Sequence, residues 1–250
     1  MSDLVSLRVV ALGQDEALRD NLSRGAARLS VPMLIESADS AAGLADLLET
    51  PADIVLLGPG PAAGVEGDLP LRADAGRALV IALLPAADAP MAIAAVDGYA
   101  SAPRDVIAAA DLLGRLAQLS MPNRILVVDD SPTLRGVVRK ILAGSRFIFH
   151  VEETGDGAEA LRRLGAAPYD YVLLDYTMPG LSGMELLAHI KLEASLANVI
   201  VMSSTQDEAV KDRIRRVGAI AFLSKPFYPA DIEAVLLQHR GIVPAAQARR

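Results

Sequence analysis

Residues 123–138 read NRILVVDDSPTLRGVV, and this segment indicates the fold of the second half of the chain. The run Arg124–Val128 is typical of a strand that is buried on both faces of a sheet. Ser131 and Pro132 are typical of a helix start, since a hydroxyl caps free amides and proline suits the first turn. A buried strand that turns directly into a helix indicates a parallel sheet with crossover helices.

The same alternation continues along the rest of the second half. We predict strands at Arg124–Val128, Phe147–Val151, Tyr171–Leu174, Val199–Met202 and Ile220–Leu223. We predict helices at Pro132–Leu142, Gly157–Leu164, Gly183–Ile190, Asp207–Val217 and Pro229–Gln238. This strict alternation predicts an α/β fold with a doubly wound parallel sheet, and the strand order 2-1-3-4-5 would make its first and third strands neighbours.

The first half of the chain repeats this order of elements. The aligned pairs of segments are 7–22 with 123–138, 53–60 with 170–177, 78–89 with 198–209, and 97–103 with 220–226. Four matches in the same order indicate a tandem duplication. We therefore predict two domains of the same fold and strand order, at residues 1–119 and 123–242. We expect loops at 58–76 and a frayed tail at 243–250.

The composition excludes several classes of protein. The 250 residues include no Cys, which excludes disulfides and thiolate metal sites. Residues 1–120 carry eight Arg, no Lys and sixteen Asp or Glu, and neither half has the basic surface of a nucleic-acid-binding protein. No signal peptide is recognisable, and no apolar run reaches the ~18 residues that span a bilayer. We therefore expect a cytoplasmic protein without membrane insertion or a nucleic-acid partner.

Charged residues follow three of the predicted strands in the second half. Asp129 and Asp130 follow the first strand, Asp175 follows the third, and Lys225 follows the fifth. The carboxyl ends of parallel strands lie at one edge of the sheet, so these side chains are expected to converge there. Clustered carboxylates repel one another, and a hard cation such as Mg²⁺, with oxygen ligands, removes that conflict. Ser203, after the fourth strand, adds a hydroxyl.

This set of groups suits phosphoryl transfer. A carboxylate can act as the nucleophile, while a metal ion, a lysine and a hydroxyl neutralise charge on the transferred group. Each feature alone has a simpler explanation: Asp129-Asp130 as a helix cap, Asp175 as a turn residue, and Lys225 as a surface charge. Their joint occurrence at successive strand ends favours a functional site.

Residues 123–240 resemble the receiver domain of two-component response regulators, which has a flavodoxin-like fold. The motifs that carry the resemblance are ILVVDDSPTLR, YVLLDYTMPGLSGMEL, VIVMSS and FLSKPF. The resemblance implies that Asp175 accepts a phosphoryl group from a histidine kinase or a histidine phosphotransfer protein. It also implies a protein that signals through a downstream protein effector and is not an enzyme, apart from its own Mg²⁺-dependent phosphorylation and dephosphorylation. A homodimer is left open.

The resemblance further implies the roles of individual residues. Mg²⁺ would be held by Asp129, Asp130, Asp175 and the main-chain carbonyl of Thr177. Ser203 and Lys225 would bind the phosphoryl group, and Phe222 would swing inward when Ser203 moves. Lys225-Pro226 would be a cis bond, and Thr177 and Thr205 would tune dephosphorylation.

The first half resembles the same domain with its site erased. The aligned replacements are Gly13 and Gln14 for Asp129 and Asp130, Gly58 for Asp175, Leu83 for Ser203, and Ala102 for Lys225, while Tyr99 matches Phe222. Asp15 lies one position beyond the acid pair and is a poor substitute. We therefore interpret residues 1–119 as a pseudo-receiver that neither binds Mg²⁺ nor accepts phosphate.

Three functions remain after this comparison. The first is a phosphorylation-controlled adaptor, because no DNA-binding or enzymatic output domain is expected after residue 240. The second is a phosphate sink or relay, and the third is a constitutive scaffold. A phosphatase with an Asp nucleophile would need a second acid where Thr177 stands. The acids Asp129 and Asp130 disfavour a carrier of FMN.

The basic run 211–216 is most simply a solvated helix face, although it lies where the family docks its partners.

Overall fold

The computed structural model describes residues 6–59, 78–85, 96–192 and 196–248. Its contacts divide the chain into two compact units, one formed by residues 1–120 with 237–250 and the other by residues 121–236. None of the helices in the described ranges is both long and apolar enough to cross a membrane.

Five parallel strands lie side by side in the sheet of the first unit. They are β1 (Leu7–Leu12), β2 (Met33–Ala38), β3 (Ile54–Leu57), β4 (Leu79–Leu84) and β5 (Gly98–Ser101), in the spatial order β5-β4-β3-β1-β2. The helices of the described part are α1 (Glu16–Ala26), α2 (Ala41–Leu48) and α3 (Val106–Ser120). The order confirms the predicted 2-1-3-4-5 sheet. The expected loop at 58–76 and the third and fourth crossovers lie largely outside the described residues.

The second unit has a sheet of five parallel strands in the same order. Its strands are β6 (Asn123–Val128), β7 (Phe149–Thr154), β8 (Tyr171–Asp175), β9 (Asn198–Ser203) and β10 (Ala221–Ser224), in the order β10-β9-β8-β6-β7. Its helices are α4 (Pro132–Ala143), α5 (Gly157–Ala166), α6 (Gly183–Leu192), α7 (Glu208–Val217) and α8 (Pro229–His239). The predicted α/β doubly wound fold, with five alternating strands and helices, is confirmed here. The three central strands are almost completely buried, which explains their continuous apolar sequences.

One predicted strand is displaced from its observed position. Phe147–Val151 was expected as a strand, but β7 begins at Phe149 and extends to Thr154. Phe147 is buried ahead of the strand, and its amide donates to Ser145 Oγ at 3.2 Å. β7 is an edge strand with partly exposed side chains, so its sequence is polar and the apolar pattern ends before the strand does.

The two units repeat each other in contacts as well as in topology. Val9 pairs with Ile54 in the first sheet, and the aligned Ile125 pairs with Tyr171 in the second. In each unit, an arginine on the first strand makes two such contacts. Its main-chain amide donates to an aspartate just before the third strand, and its guanidinium donates to a glutamate on the second strand. The two sets are Arg8 with Asp53 and Glu36, and Arg124 with Asp170 and Glu152. These shared polar contacts support the interpretation of a tandem duplication.

The end of the chain belongs to the first unit. Residues 243–250 were expected to fray, but Val243–Pro244 form strand β11, which pairs antiparallel with Tyr99 and Gly98 at the edge of β5. The short helix α9 (Ala245–Ala248) follows. Pro244 is compatible with this position because an edge strand need not donate a ladder hydrogen bond from every residue. Residues 237–242, predicted to close the second domain, also group with the first unit.

Candidate functional site

Three carboxylates meet where β6 and β8 end at the same edge of the second sheet. Asp129 and Asp130 directly follow β6, and Asp175 is the last residue of the neighbouring β8. One carboxylate oxygen of each residue lies within 4.8 Å of those of the other two. Asp129 is fully buried and Asp175 is 6% exposed, whereas Asp130 is open to solvent. The strand topology therefore brings together the acids that the sequence singled out.

Lys225 connects two of these acids. Its Nζ donates to Asp129 Oδ2 at 2.9 Å and to Asp175 Oδ1 at 3.0 Å. The Lys225 amide donates to the carbonyl of Ser203 at 2.8 Å, which fixes the loop after β10 beside the end of β9. The following Lys225-Pro226 peptide bond is cis. One ammonium group thus bridges carboxylates from two different strands.

Burial and charge shift the pKa values of the bridged groups. Burial raises the pKa of Asp175, as does the neighbouring Asp129, and these effects outweigh the hydrogen bonds from Lys225 and the main chain of Thr177. Burial alone would lower the pKa of Lys225, but its bonds to Asp129 and Asp175 raise the pKa above the ordinary value. Lys225 therefore keeps its charge, while Asp175 holds a proton more readily than an exposed aspartate does.

The backbone around Asp129 is held from α4. Ser131 donates its amide to Asp129 Oδ1 at 2.9 Å and caps the helix by accepting from the Leu134 amide. The guanidinium of Arg135 donates to the main-chain carbonyl of Asp129 at 2.7 Å. Arg135 was not among the residues predicted from the sequence to belong to the site. The signal was the Leu-Arg pair shared by both repeats, since the aligned Arg19 also donates to a carbonyl after the first strand, that of Gln14, which aligns with Asp130.

The other predicted site residues lie around the same edge of the second sheet and differ in their exposure to solvent. Ser203 is 4% exposed, and its Oγ accepts from the Thr205 amide at 3.1 Å. Thr177 is exposed in the turn after β8. Phe222 is half-buried and packs against the core between the sheet and the helices α6 and α7. The Nζ of Lys211 lies over its ring, 5.4 Å from the ring centroid.

The three carboxylates supply the oxygen donors that a hard cation requires. Two of the carboxylates are largely removed from water, and Lys225 balances only part of their charge. An ion that prefers oxygen ligands and retains waters, such as Mg²⁺, suits carboxylates that are partly buried and partly open. The residues present therefore fit a magnesium ion.

The corresponding edge of the first unit is closed. Gly13 has a positive φ of 69°, and Gln14 is buried with its Nε2 donating to the carbonyl of Leu12 at 3.1 Å. A Cβ on Gly58 would lie 2.3 Å from the carbonyl oxygen of Gly13. Asp15 is engaged as the N-cap of α1, where it accepts from the Leu18 amide at 2.7 Å. The loop after β1 therefore occupies the space that an acid at position 58 would need.

One aligned pair needs correction. The Ala102 amide donates to the carbonyl of Leu84 at 2.8 Å, as the Lys225 amide donates to that of Ser203. Leu84, and not Leu83, is therefore the counterpart of Ser203. The apolar run of β4 permits either alignment, because Leu occupies both positions. The replacement by leucine is unchanged.

We expect Gly58→Ala to destabilise the first unit by about 1–3 kcal/mol, because the added methyl group would overlap the Gly13 carbonyl. Urea unfolding of the full chain measures this loss. Gly114→Ala is the matched control, since a Cβ at Gly114 makes only an ordinary 3.5 Å contact with Leu29. Equal unfolding curves for Gly58→Ala and the unmodified chain would show that the loop is not packed as described.

Comparison with known proteins identifies relatives of the chain. Residues 125–237 match the family described as the response regulator receiver domain. The chemotaxis protein CheY-3 of Vibrio cholerae is 32% identical over 123 residues, which are 48% of this chain and 93% of that protein. The two-component response regulator ORR6 of Oryza sativa subsp. japonica is 40% identical over 114 residues, covering 43% of this chain and 65% of that protein.

A solved structure resembles the chain over both units. It is titled as a probable two-component system response regulator/GGDEF domain protein, and the match covers 98% of this chain and 100% of that one. The TM-score is 0.51 and the identity is 21%, so the similarity concerns the fold.

Proposed function

The chain belongs to the response regulator receiver domain family, and from this premise we propose that it accepts a phosphoryl group on Asp175 and signals through phosphorylation-dependent protein contacts. The observation that carries the proposal is the lysine bridge at the edge of the second sheet. Lys225 Nζ lies 2.9 Å from Asp129 and 3.0 Å from Asp175, which are contributed by different strands. Such a bridge places a cation beside the oxygen that would attack phosphorus.

Asp175 is the nucleophile in this proposal. One of its carboxylate oxygens attacks the phosphorus of a phosphohistidine in a histidine kinase or histidine phosphotransfer protein. The new O–P bond forms as the N–P bond breaks, and the electron pair returns to the imidazole nitrogen, which takes a proton from solvent. Burial removes water from around Asp175, so fixed charges act strongly on the transferred group.

The surrounding side chains support that transfer. Asp129 and Asp130, with Asp175 and the carbonyl of Thr177, would hold a magnesium ion, which supplies positive charge to the phosphoryl oxygens when it is bound. Lys225 can exchange its contact with Asp175 for a phosphoryl oxygen, and the Ser203 hydroxyl, at the end of the adjacent β9, can donate to another.

The phosphoryl group changes the partner preference of the second unit. Movement of Ser203 towards the phosphoryl group would leave space that Phe222 can enter, and this alters the surface formed by α7, β10 and α8. Two arrangements with different partner affinities are sufficient for such a switch. The first unit does not take part in phosphoryl transfer, since glycine, glutamine, leucine and alanine replace the five polar groups.

A partner pull-down with the full chain tests this function. Beryllofluoride with Mg²⁺ mimics the phosphoryl group on an aspartate, so we expect at least one protein to be retained only in its presence. The control is Asp175→Asn, which should show the same partners with and without the mimic. Retention of identical partners by the unmodified chain in both conditions would favour the constitutive scaffold. Rapid loss of a phosphoryl label, with no state-dependent partner, would favour the sink or relay.

A further inference from the structure

A lysine on α7 lies over the aromatic ring of the proposed switch. Lys211 Nζ is 5.4 Å from the centroid of Phe222, and the same Nζ donates to Glu208 Oε1 at 2.7 Å. The Lys211 side chain is only 12% exposed, although long charged side chains usually remain in water. Its aliphatic part is therefore packed along the helix surface while its charge faces the ring.

This arrangement sets Lys211 apart from a comparable cation of the same helix. Arg215 also binds an acid three residues earlier, Asp212, at 2.8 Å, but its side chain is 54% exposed. The cation–ring pairs of the described residues are Lys211 with Phe222 and Arg124 with Tyr169, and only the first involves a proposed switch residue. The solvated helix face expected from the basic run thus describes Arg215 and does not describe Lys211.

The contact has a definite energetic consequence. A cation over an aromatic face attracts the electrons of the ring, and the attraction grows as water is excluded. Phe222 is half-buried and packs against the core beside α7, so both partners are partly removed from water. Movement of the ring away from this position removes the attraction between the Lys211 ammonium and the Phe222 ring, while Lys211 remains paired with Glu208.

We propose that Lys211 is a positioning residue that stabilises Phe222 in the position seen here and opposes the ring movement that accompanies phosphorylation. This inference rests on the proposed function of Asp175. It adds a residue that stabilises the unphosphorylated state of the second unit. The phosphoryl mimic shifts the equilibrium between the resting and the activated arrangement because it binds the activated one more tightly. A change that destabilises the resting arrangement increases the population of the activated one, so the apparent affinity for the mimic rises. Lys211 therefore sets how readily the second unit is activated.

The test is the affinity of the full chain for beryllofluoride in the presence of Mg²⁺. Lys211→Met retains the length of the side chain without its charge, and we expect it to bind beryllofluoride about two- to five-fold more tightly, as expected from the strength of such pairs. Arg215→Met is the matched control and should bind like the unmodified chain. Lys211→Arg retains a cation for the ring and should restore the original affinity.

The Lys211→Met substitution in a Phe222→Leu variant distinguishes the contact with the ring from other effects of the Lys211 charge on beryllofluoride binding. In a chain that carries Phe222→Leu, Lys211→Met should have no further effect on beryllofluoride binding, because the aromatic face is already absent. An equal gain in both backgrounds, or equal affinities for Lys211→Met and Arg215→Met, would overturn the inference while leaving Asp175 as the acceptor. Failure of the unmodified chain to bind beryllofluoride would overturn the proposed function together with this inference.

Discussion

Asp175→Asn removes phosphorylation of the chain by acetyl phosphate or by a cognate kinase. The substitution keeps the shape of the side chain but replaces the attacking oxygen with an amide of low nucleophilicity, so we expect the initial labelling rate to fall by at least about a hundredfold. Radiolabelled phosphoryl donor and gel autoradiography measure the rate. This is the largest effect that we predict for a single substitution.

A matched control makes that result specific. Asp212→Asn removes a carboxylate that is exposed on α7 and paired with Arg215. It should leave the rate of labelling unchanged. Labelling of Asp175→Asn at the rate of the unmodified chain would show that another residue accepts the phosphoryl group.

Asp129→Asn weakens magnesium binding by at least about tenfold. Asp129 is fully buried, and its carboxylate lies in the set of three that could hold the ion, so loss of one charge removes strong attraction in a poorly screened position. Each ~1.4 kcal/mol corresponds to a factor of ten in affinity. Isothermal titration calorimetry of the full chain measures the change.

Thermal unfolding provides a second measurement of the same effect. Magnesium at about a hundred times its dissociation constant should stabilise the unmodified chain by about 2.7 kcal/mol and raise the Tm of its second unit. Because its affinity is at least tenfold lower, Asp129→Asn should be stabilised by no more than about 1.4 kcal/mol at the same concentration, whereas Asp212→Asn should respond like the unmodified chain. An undiminished magnesium affinity for Asp129→Asn would exclude this carboxylate as a ligand.

Much of the second unit could be predicted from sequence because its central strands are buried on both faces. An apolar run such as Tyr171–Leu174 ends where the strand reaches water, so the polar residue that follows marks the edge of the sheet. The convergence of Asp129, Asp175 and Lys225 then follows from parallel strands and the order 2-1-3-4-5. The positions of the acids and the lysine therefore needed no information beyond topology.

Other features depend on tertiary contacts that leave no local pattern. The two residues of β11 are too few to show a strand period, and their pairing with β5 is decided by where the chain returns. The start of β7 was misplaced because an edge strand lacks a continuous apolar run. Lys211 appeared to be part of a solvated face, since sequence alone does not reveal that Phe222 lies beneath it.

Chemical mapping of the phosphoryl group identifies the residue that accepts it. Borohydride reduces an aspartyl phosphate to homoserine, so the acceptor is converted to a different residue that peptide mass spectrometry can locate. After treatment of the full chain with acetyl phosphate and Mg²⁺, we expect homoserine at position 175 and unmodified aspartate at 129 and 130. Homoserine at either of those two positions, or within residues 1–120, would contradict this expectation.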